Sequence, residues 1–271
     1  MHCLRRRLEQ IFLYKDKSTE NLDLAVLKDY LKEKMANIID ISIRKDFISY
    51  HLQKKDIDKF AKELAKIRVR NIGYSSVNQE PFYGEIQYEK NLLEDKNKIL
   101  IVSVLYDGFK LSKLFFSLIP EKERILNYCH IAFTSRLPAT FDEIDKRYHA
   151  RVIICSIPSI ISTTGIVEAP AKPKEFYLLR QKYTALGIDV PIEVIKKKFY
   201  GEFIDYNDKV ITDVMKGYAL QALFYHLTFQ PFCSNRNCRL FNAHWQRDLI
   251  RAQLISKRLC KKHEKILSSF K

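Results

Sequence analysis

Hydrophobic residues recur every three to four positions in two stretches near the N-terminus, at Leu22, Leu24, Leu27, Tyr30 and Leu31 and again at Ile57, Phe60, Leu64 and Ile67. That spacing lines the apolar side chains along one stripe, so both stretches predict amphipathic helices. Between them, Asp40 to Phe47 alternates apolar and polar residues, the period of a strand with one buried face. The first 70 residues therefore read as helices around a strand, a small α/β layer. From Gly73 to Gly84 the composition turns to Ser, Asn, Gln, Pro and Tyr, which marks a loop between sub-structures. Ile99 to Tyr106 reads as a buried strand that ends at the turn dipeptide Asp107-Gly108, and Phe109 to Leu118 continues as a helix until Pro120 breaks it.

Two further apolar runs, His130 to Arg136 and Arg151 to Ile157, predict buried strands on either side of a charged stretch, Phe141 to His149. Ser162 to Pro173 carries Gly165, Pro170 and Pro173 and reads as a loop, with a short extended piece at Ile166 to Glu168. Val210, Val214, Tyr218, Ala222 and His226 recur every four residues, which predicts a helix capped by Asp208 that runs to about Thr228 and holds His226 in its last turn. A second helix is expected from Asn242 to Arg258, with Trp245, Leu249, Ala252 and Ile255 facing inward. The alternation of strands and helices gives an α/β (α+β) class, a mixed sheet packed on helices. It divides into an N-terminal α/β region over 1–120 and a domain over 121–271.

Composition narrows the class. With 271 residues and 46% of them apolar, the chain can bury a sizeable core, which excludes disordered and fibrous proteins. The longest apolar runs fall far short of the roughly 20 residues a membrane span needs, so no membrane partner is expected. Arg5, Arg6 and Arg7 look like the basic start of a secretory signal, but Glu9 and Gln10 follow and Ile11 to Leu13 is too short for its apolar core. The chain reads as cytoplasmic. Its 47 Lys and Arg against 32 Asp and Glu leave a formal charge of +15, which favours acidic partners such as nucleic acid.

Six cysteines in a cytoplasmic chain point to metal or redox chemistry before disulfides. Cys3, Cys129 and Cys155 are scattered, whereas four residues lie between Cys233 and Cys238 and two between Cys260 and His263, with 21 residues between the pairs. Two short turns of this kind supply the four donors of a tetrahedral zinc site, and the polar loop Ser234-Asn235-Arg236-Asn237 suits a knuckle that aims N–H groups at a thiolate. Arg239, Lys261 and Lys262 offset thiolate charge. Four protein ligands leave no open position, so the expected cofactor is one structural Zn(II) that staples the C-terminal helix in place.

These residues resemble the end of the archaemetzincin pattern, HExxHxxGxxHCxxxxCxM followed later by CxxC. Laid on this chain, His226 stands at the second histidine, Cys233, Cys238 and Cys260 at three structural cysteines, and His263 at the fourth. At the same alignment Ala222 replaces the first histidine, Leu223 the glutamate, Phe232 the third histidine and Leu240 the methionine. Ala, Leu and Phe neither bind zinc nor take a proton from its water, so the ancestral peptidase machinery is lost or rebuilt from other residues. The stretch from His130 to Pro173, with Asn242-Ala243-His244-Trp245-Gln246, also resembles a group of archaeal proteins described as metallopeptidases. The resemblance covers about half the chain and leaves residues 1–120 aside. It implies a zincin-like fold, the helix of His226 lying under a mixed sheet, and a peptide or protein substrate.

Low-ranking catalytic candidates remain. His226 could bind a metal with new partners, His149, His244 or Glu168, or it could cap its own helix end against the macrodipole. Asp142, Glu143 and Asp145 offer carboxylates, and Ser162-Thr163-Thr164-Gly165 offers an anion cradle that lacks a Walker lysine. Two functions compete at this point: a metallopeptidase relative with a structural zinc, and a zinc-stapled module that binds nucleic acid or protein through its basic surface.

Overall fold

The computed structural model describes residues 8–16, 19, 21–74, 80–94, 104–206 and 208–270. The chain opens with strand β1 (Gln10–Lys15), helix α1 (Leu24–Lys34) and strand β2 (Asp40–Arg44). The Asp23 carboxylate accepts hydrogen bonds from the N–H groups of Ala25 and Val26 and so starts α1, which buries Leu24, Leu27 and Leu31. Helices α2 (Phe47–His51), α3 (Ile57–Lys66) and α4 (Tyr83–Glu94) lead to strand β3 (Leu105–Asp107) and helix α5 (Gly108–Leu118). Strands β4 (Tyr128–Thr134), β5 (Leu137–Asp142), β6 (Arg147–Ala150), β7 (Ile153–Ile154) and β8 (Ser159–Ser162) follow. Helices α6 (Thr163–Glu168), α7 (Lys174–Ala185), α8 (Ile192–Lys198), α9 (Ile211–Thr228), α10 (Gln246–Ile250) and α11 (Lys261–Ser268) complete the chain.

A five-stranded sheet has the order β2-β1-β4-β8-β7, with β7 antiparallel to β8 and the other neighbours parallel. A three-stranded sheet has the order β3-β5-β6. Alternation along β1 and β4 sends Ile11, Leu13, Ile131 and Phe133 into one core with α1 and α9, while Phe12, Tyr14 and Ala132 enter a second core with α2, α3 and α5. Both faces are covered, which is why the central strands read as unbroken apolar runs. Helix α9 is buried nearly all round and lies against β4 and β8, so the helix of His226 does sit under a mixed sheet. The larger sheet takes β1 and β2 from before residue 120 and β4, β7 and β8 from after it.

Several local expectations change. Of the strand expected over Ile99 to Tyr106, positions 99–103 lie outside the described residues, and β3 begins at Leu105. The strand expected over Arg151 to Ile157 shrinks to Ile153–Ile154, because Ser156 Oγ donates to the Pro158 carbonyl and closes a turn into β8. The charged stretch 141–149 is the tip and return of the β5–β6 hairpin, where the Asp142 carboxylate accepts from the N–H groups of Ile144 and Asp145. Residues 163–168 form α6 rather than a loop, since Ser162 Oγ accepts from the Gly165 N–H as a cap. Only glycine fits at 165: a Cβ there would stand 2.5 Å from the Arg151 carbonyl oxygen. The long helix expected over 242–258 starts at Gln246 and passes into a π-helical turn over Arg251–Ser256. The extra residue in that turn rotates Ile255 to 74% exposure and buries Gln253 in the place expected of an apolar side chain.

Candidate metal centre and adjoining cleft

Helix α9 ends at Phe229, whose φ of 59° turns the chain away, and the segment returns on itself so that the Cys233 N–H donates to the Leu240 carbonyl at 2.8 Å. Within that return, the Cys238 N–H donates to the Asn235 carbonyl at 2.9 Å and the Asn235 N–H points at Cys233 Sγ, 3.4 Å away. The polar knuckle therefore does what its composition predicts. The second pair arrives from the π-helical turn: the Arg239 N–H reaches the Arg258 carbonyl at 2.9 Å, and the Cys260 N–H donates to Cys238 Sγ at 3.4 Å. Cys260 caps α11, and His263 occupies its first turn.

The sulfurs of Cys233, Cys238 and Cys260 and a ring nitrogen of His263 all lie within 4.8 Å of one another. Cys233 Sγ is 3.9 Å from Cys260 Sγ, and His263 Nδ1 is 3.1 Å from Cys260 Sγ and 4.0 Å from Cys238 Sγ. A tetrahedron built on Zn–S bonds near 2.3 Å has edges of about 3.8 Å, and the distances of 3.1, 3.9 and 4.0 Å bracket that edge, so the four donors are close enough together to share one ion. Burial pushes the Cys238 thiol up to about 12, against the pull of the Leu240 and Cys260 N–H groups. Burial acts on Cys260 in the same direction, but the His263 N–H and the neighbouring thiols outweigh it and leave Cys260 below the usual thiol range. Burial and then Lys262 lower His263, so its imidazole is neutral at pH 7, as a metal ligand must be. Its ring also packs edge-on against Phe224 of α9, 5.4 Å between centroids, which ties the staple to the central helix.

The other candidates do not join this cluster. His226 is buried at the end of α9, and its Nε2 pairs with the Leu126 carbonyl at 2.8 Å in the segment before β4. His149, Glu168 and His244 line a single cleft of about 830 Å³ beside α9, together with Tyr177, Tyr218 and Phe232. Their donors stay apart. His149 Nε2 lies 3.0 Å from Asp145 Oδ2, out of line for a hydrogen bond, and Glu168 accepts from the Tyr206 hydroxyl at 2.7 Å. Among the described residues, the C-terminal four are the only group of three or more His, Cys, Asp or Glu donors close enough to share an ion. Ala222, Leu223 and Leu240 are fully buried core residues, and Phe232 faces the cleft. The hydroxyls proposed as an anion cradle are spent: Thr163 Oγ1 donates to the Thr134 carbonyl and Thr164 Oγ1 to the Ser135 carbonyl.

One polar network, on the far face of the sheet, has no signature in local residue spacing. Tyr14 Oη meets His130 Nδ1 at 2.8 Å and accepts from Arg44 at 2.9 Å, while Arg44 also pairs with Glu123 at 2.7 Å. His130, read from the sequence as a strand-edge histidine, is buried, and desolvation drives it down to about 4. Its partners are 116 and seven positions away along the chain, so only the fold brings them together.

Residues 7–270 match the family described as "Probable metallopeptidase family (DUF6775)", and the chain belongs to that family. The structure of a zinc-dependent peptidase from Methanocorpusculum labreanum (strain Z) is similar over 95% of this chain and 98% of that one, at 10% identity and a TM-score of 0.39. No curated protein matches the chain.

Proposed function

We propose that this member of the metallopeptidase family is of archaemetzincin type, that it holds one structural Zn(II) through Cys233, Cys238, Cys260 and His263, and that it carries no catalytic zinc on α9. The observation that supports this most is the approach of three sulfurs and one ring nitrogen to within 4.8 Å of one another, in a chain where Ala222, Leu223 and Phe232 stand at the positions of a catalytic histidine, glutamate and histidine. Zinc bound by those four residues polarises no substrate, because its coordination is complete; its contribution is to lock the knuckle and α11 onto α9. His226, held to the Leu126 carbonyl, acts as a helix-end anchor. Peptide chemistry at the cleft has no metal-binding triad among the described residues to drive it, since His149, His244 and Glu168 face the same space without forming a group close enough to share an ion.

The test is elemental analysis of purified protein beside the Cys238→Ser and His226→Ala variants, with a casein or peptide-library assay run in parallel. One zinc per chain, lost with Cys238→Ser and kept with His226→Ala, and no zinc-dependent cleavage, is the expected outcome. Two zinc ions, one of them lost together with proteolysis in His226→Ala, would replace this reading with a rebuilt peptidase site.

A further inference from the structure

The formal charge of +15 is not spread evenly. Residues 233–270 carry nine Lys and Arg against two Asp and Glu. Three thiolates, a neutral imidazole and a zinc ion sum to one negative charge, so charge balance at the staple calls for a single cation. Arg236 is exposed on the knuckle, Arg258 and Lys261 flank Cys260, Lys262 and Lys265 stand on the exposed side of α11, and Arg247 and Arg251 are exposed one helical turn apart on the way in. None of these seven has an acidic partner within 4.0 Å among the described residues; the nearby Lys257 does, in Asp213 at 3.2 Å. Lys261 and Lys262 moreover occupy the first turn of a helix, where the macrodipole disfavours cations. The surplus is too large and too costly to be charge compensation alone.

The cleft meets this surface along the chain, at Phe232 beside Cys233 and at His244 three residues before Arg247. Its mouth presents Phe109, Tyr177 and Phe232 at 62%, 41% and 41% exposure, flanked by Arg151 and by Arg147, which pairs with Asp145 at 3.7 Å, and the one carboxylate among its described lining residues, Glu168, is engaged by Tyr206. Cations that follow a phosphate backbone, next to open aromatic faces on which bases stack, are the combination that binds single-stranded nucleic acid. Protein partners need an apolar core to the interface. Among the described residues, the exposed apolar side chains of this surface are Ile255 and the cleft aromatics, whose flat faces suit bases, while the seven cations suit a phosphate backbone.

We propose that the surface around the staple, running into the cleft, binds single-stranded RNA or DNA without sequence preference. The test uses the intact zinc-loaded chain and fluorescein-labelled 20-mers of poly(U) and poly(dT), titrated by anisotropy between 50 and 200 mM salt, with a matched duplex, phosphatidylserine vesicles and polyglutamate as competitors. Binding to both single strands at 50 mM, with a steep linear fall in log affinity against log salt, is expected. The triple variant R236A/R247A/R251A, at three exposed positions that are not metal ligands, should reduce that slope by about 2, and Phe232→Ala should weaken binding about tenfold at constant slope. Zinc content and melting temperature should stay at wild-type values in both variants. No binding at 50 mM salt, equal displacement by vesicles or polyglutamate, or a slope that the triple variant leaves unchanged would each overturn the proposal. Preference for RNA over DNA would add recognition of the 2′-hydroxyl, and preference for the duplex would remove the role given to the cleft aromatics.

Discussion

Six residues separate His226 from Cys233, yet the two regions they belong to differ in what they gather. Near the C-terminus, four donors drawn from two short turns meet within 4.8 Å; on α9, His226 stands alone, bonded to a backbone carbonyl, with no second donor among the described residues to share an ion with it. The staple's donors are positioned by backbone N–H groups of the knuckle and of Cys260, which any sequence folded in this way supplies. The helical site depends on side chains alone, and once Ala222 and Leu223 occupy it they become ordinary core residues at zero exposure. On the reading proposed above, a structural metal would outlast a catalytic one because its loss would unfold a segment, whereas apolar side chains at 222 and 223 leave a sound core.

The largest break should come from the staple. Cys238→Ser, or removal of the ion by a strong chelator, should lower the melting temperature by about 10 °C or more and expose the amides of residues 233–270 to hydrogen exchange, while α1 and β1 stay protected. Unchanged exchange in that segment would mean that the four donors hold nothing. Acid sharpens the contrast from the other side of the sheet. Burial holds the folded His130 near 4, below its ordinary 6.5, so the unfolded chain binds the additional proton between those values. The associated stability is complete above about pH 6.5 and is lost as the pH falls towards 4, at most about 3 kcal/mol. Because burial and the neighbouring Arg44 hold His51 near 4 as well, denaturant melts should show about half of this acid slope removed in His130→Gln and the rest kept; a slope that His130→Gln leaves unchanged refutes the assignment.

Attempts to restore the helical site should fail in a measurable way. Ala222→His inserts a ring where no space exists, and should cost about 1–3 kcal/mol without adding a second zinc. Acquisition of a second ion would show that the cleft still accommodates one. The smallest effect is expected of His226→Ala: about 1–2 kcal/mol for leaving the Leu126 carbonyl without its buried partner, with zinc content unchanged.

How much of this was legible in the sequence depends on the range of the interactions. The grouping of Cys233, Cys238, Cys260 and His263 was readable because both pairs are local and the donor types are distinctive. Helices α1, α3, α5 and α9 were readable because their apolar residues recur at helical spacing over two or more turns. Helix α6 was missed because the glycine and prolines around it look like a loop, whereas Gly165 is there to clear the Arg151 carbonyl and Ser162 to cap. The π-helical turn was missed since a single extra residue per turn leaves no trace in a fourfold pattern, and it turned Ile255 outward. The gathering of His149, Glu168 and His244 around one cleft, and the bond between Tyr14 and His130, join residues far apart in the chain, and only the fold defines them.

The most direct measurement is the zinc content of the freshly purified, fully folded chain by elemental analysis, with thiol accessibility recorded on the same sample. The account predicts one zinc per chain, with Cys233, Cys238 and Cys260 shielded from thiol reagents until the ion is removed. A folded, metal-free chain with all three thiols reactive, or a chain carrying two zinc ions, would contradict it.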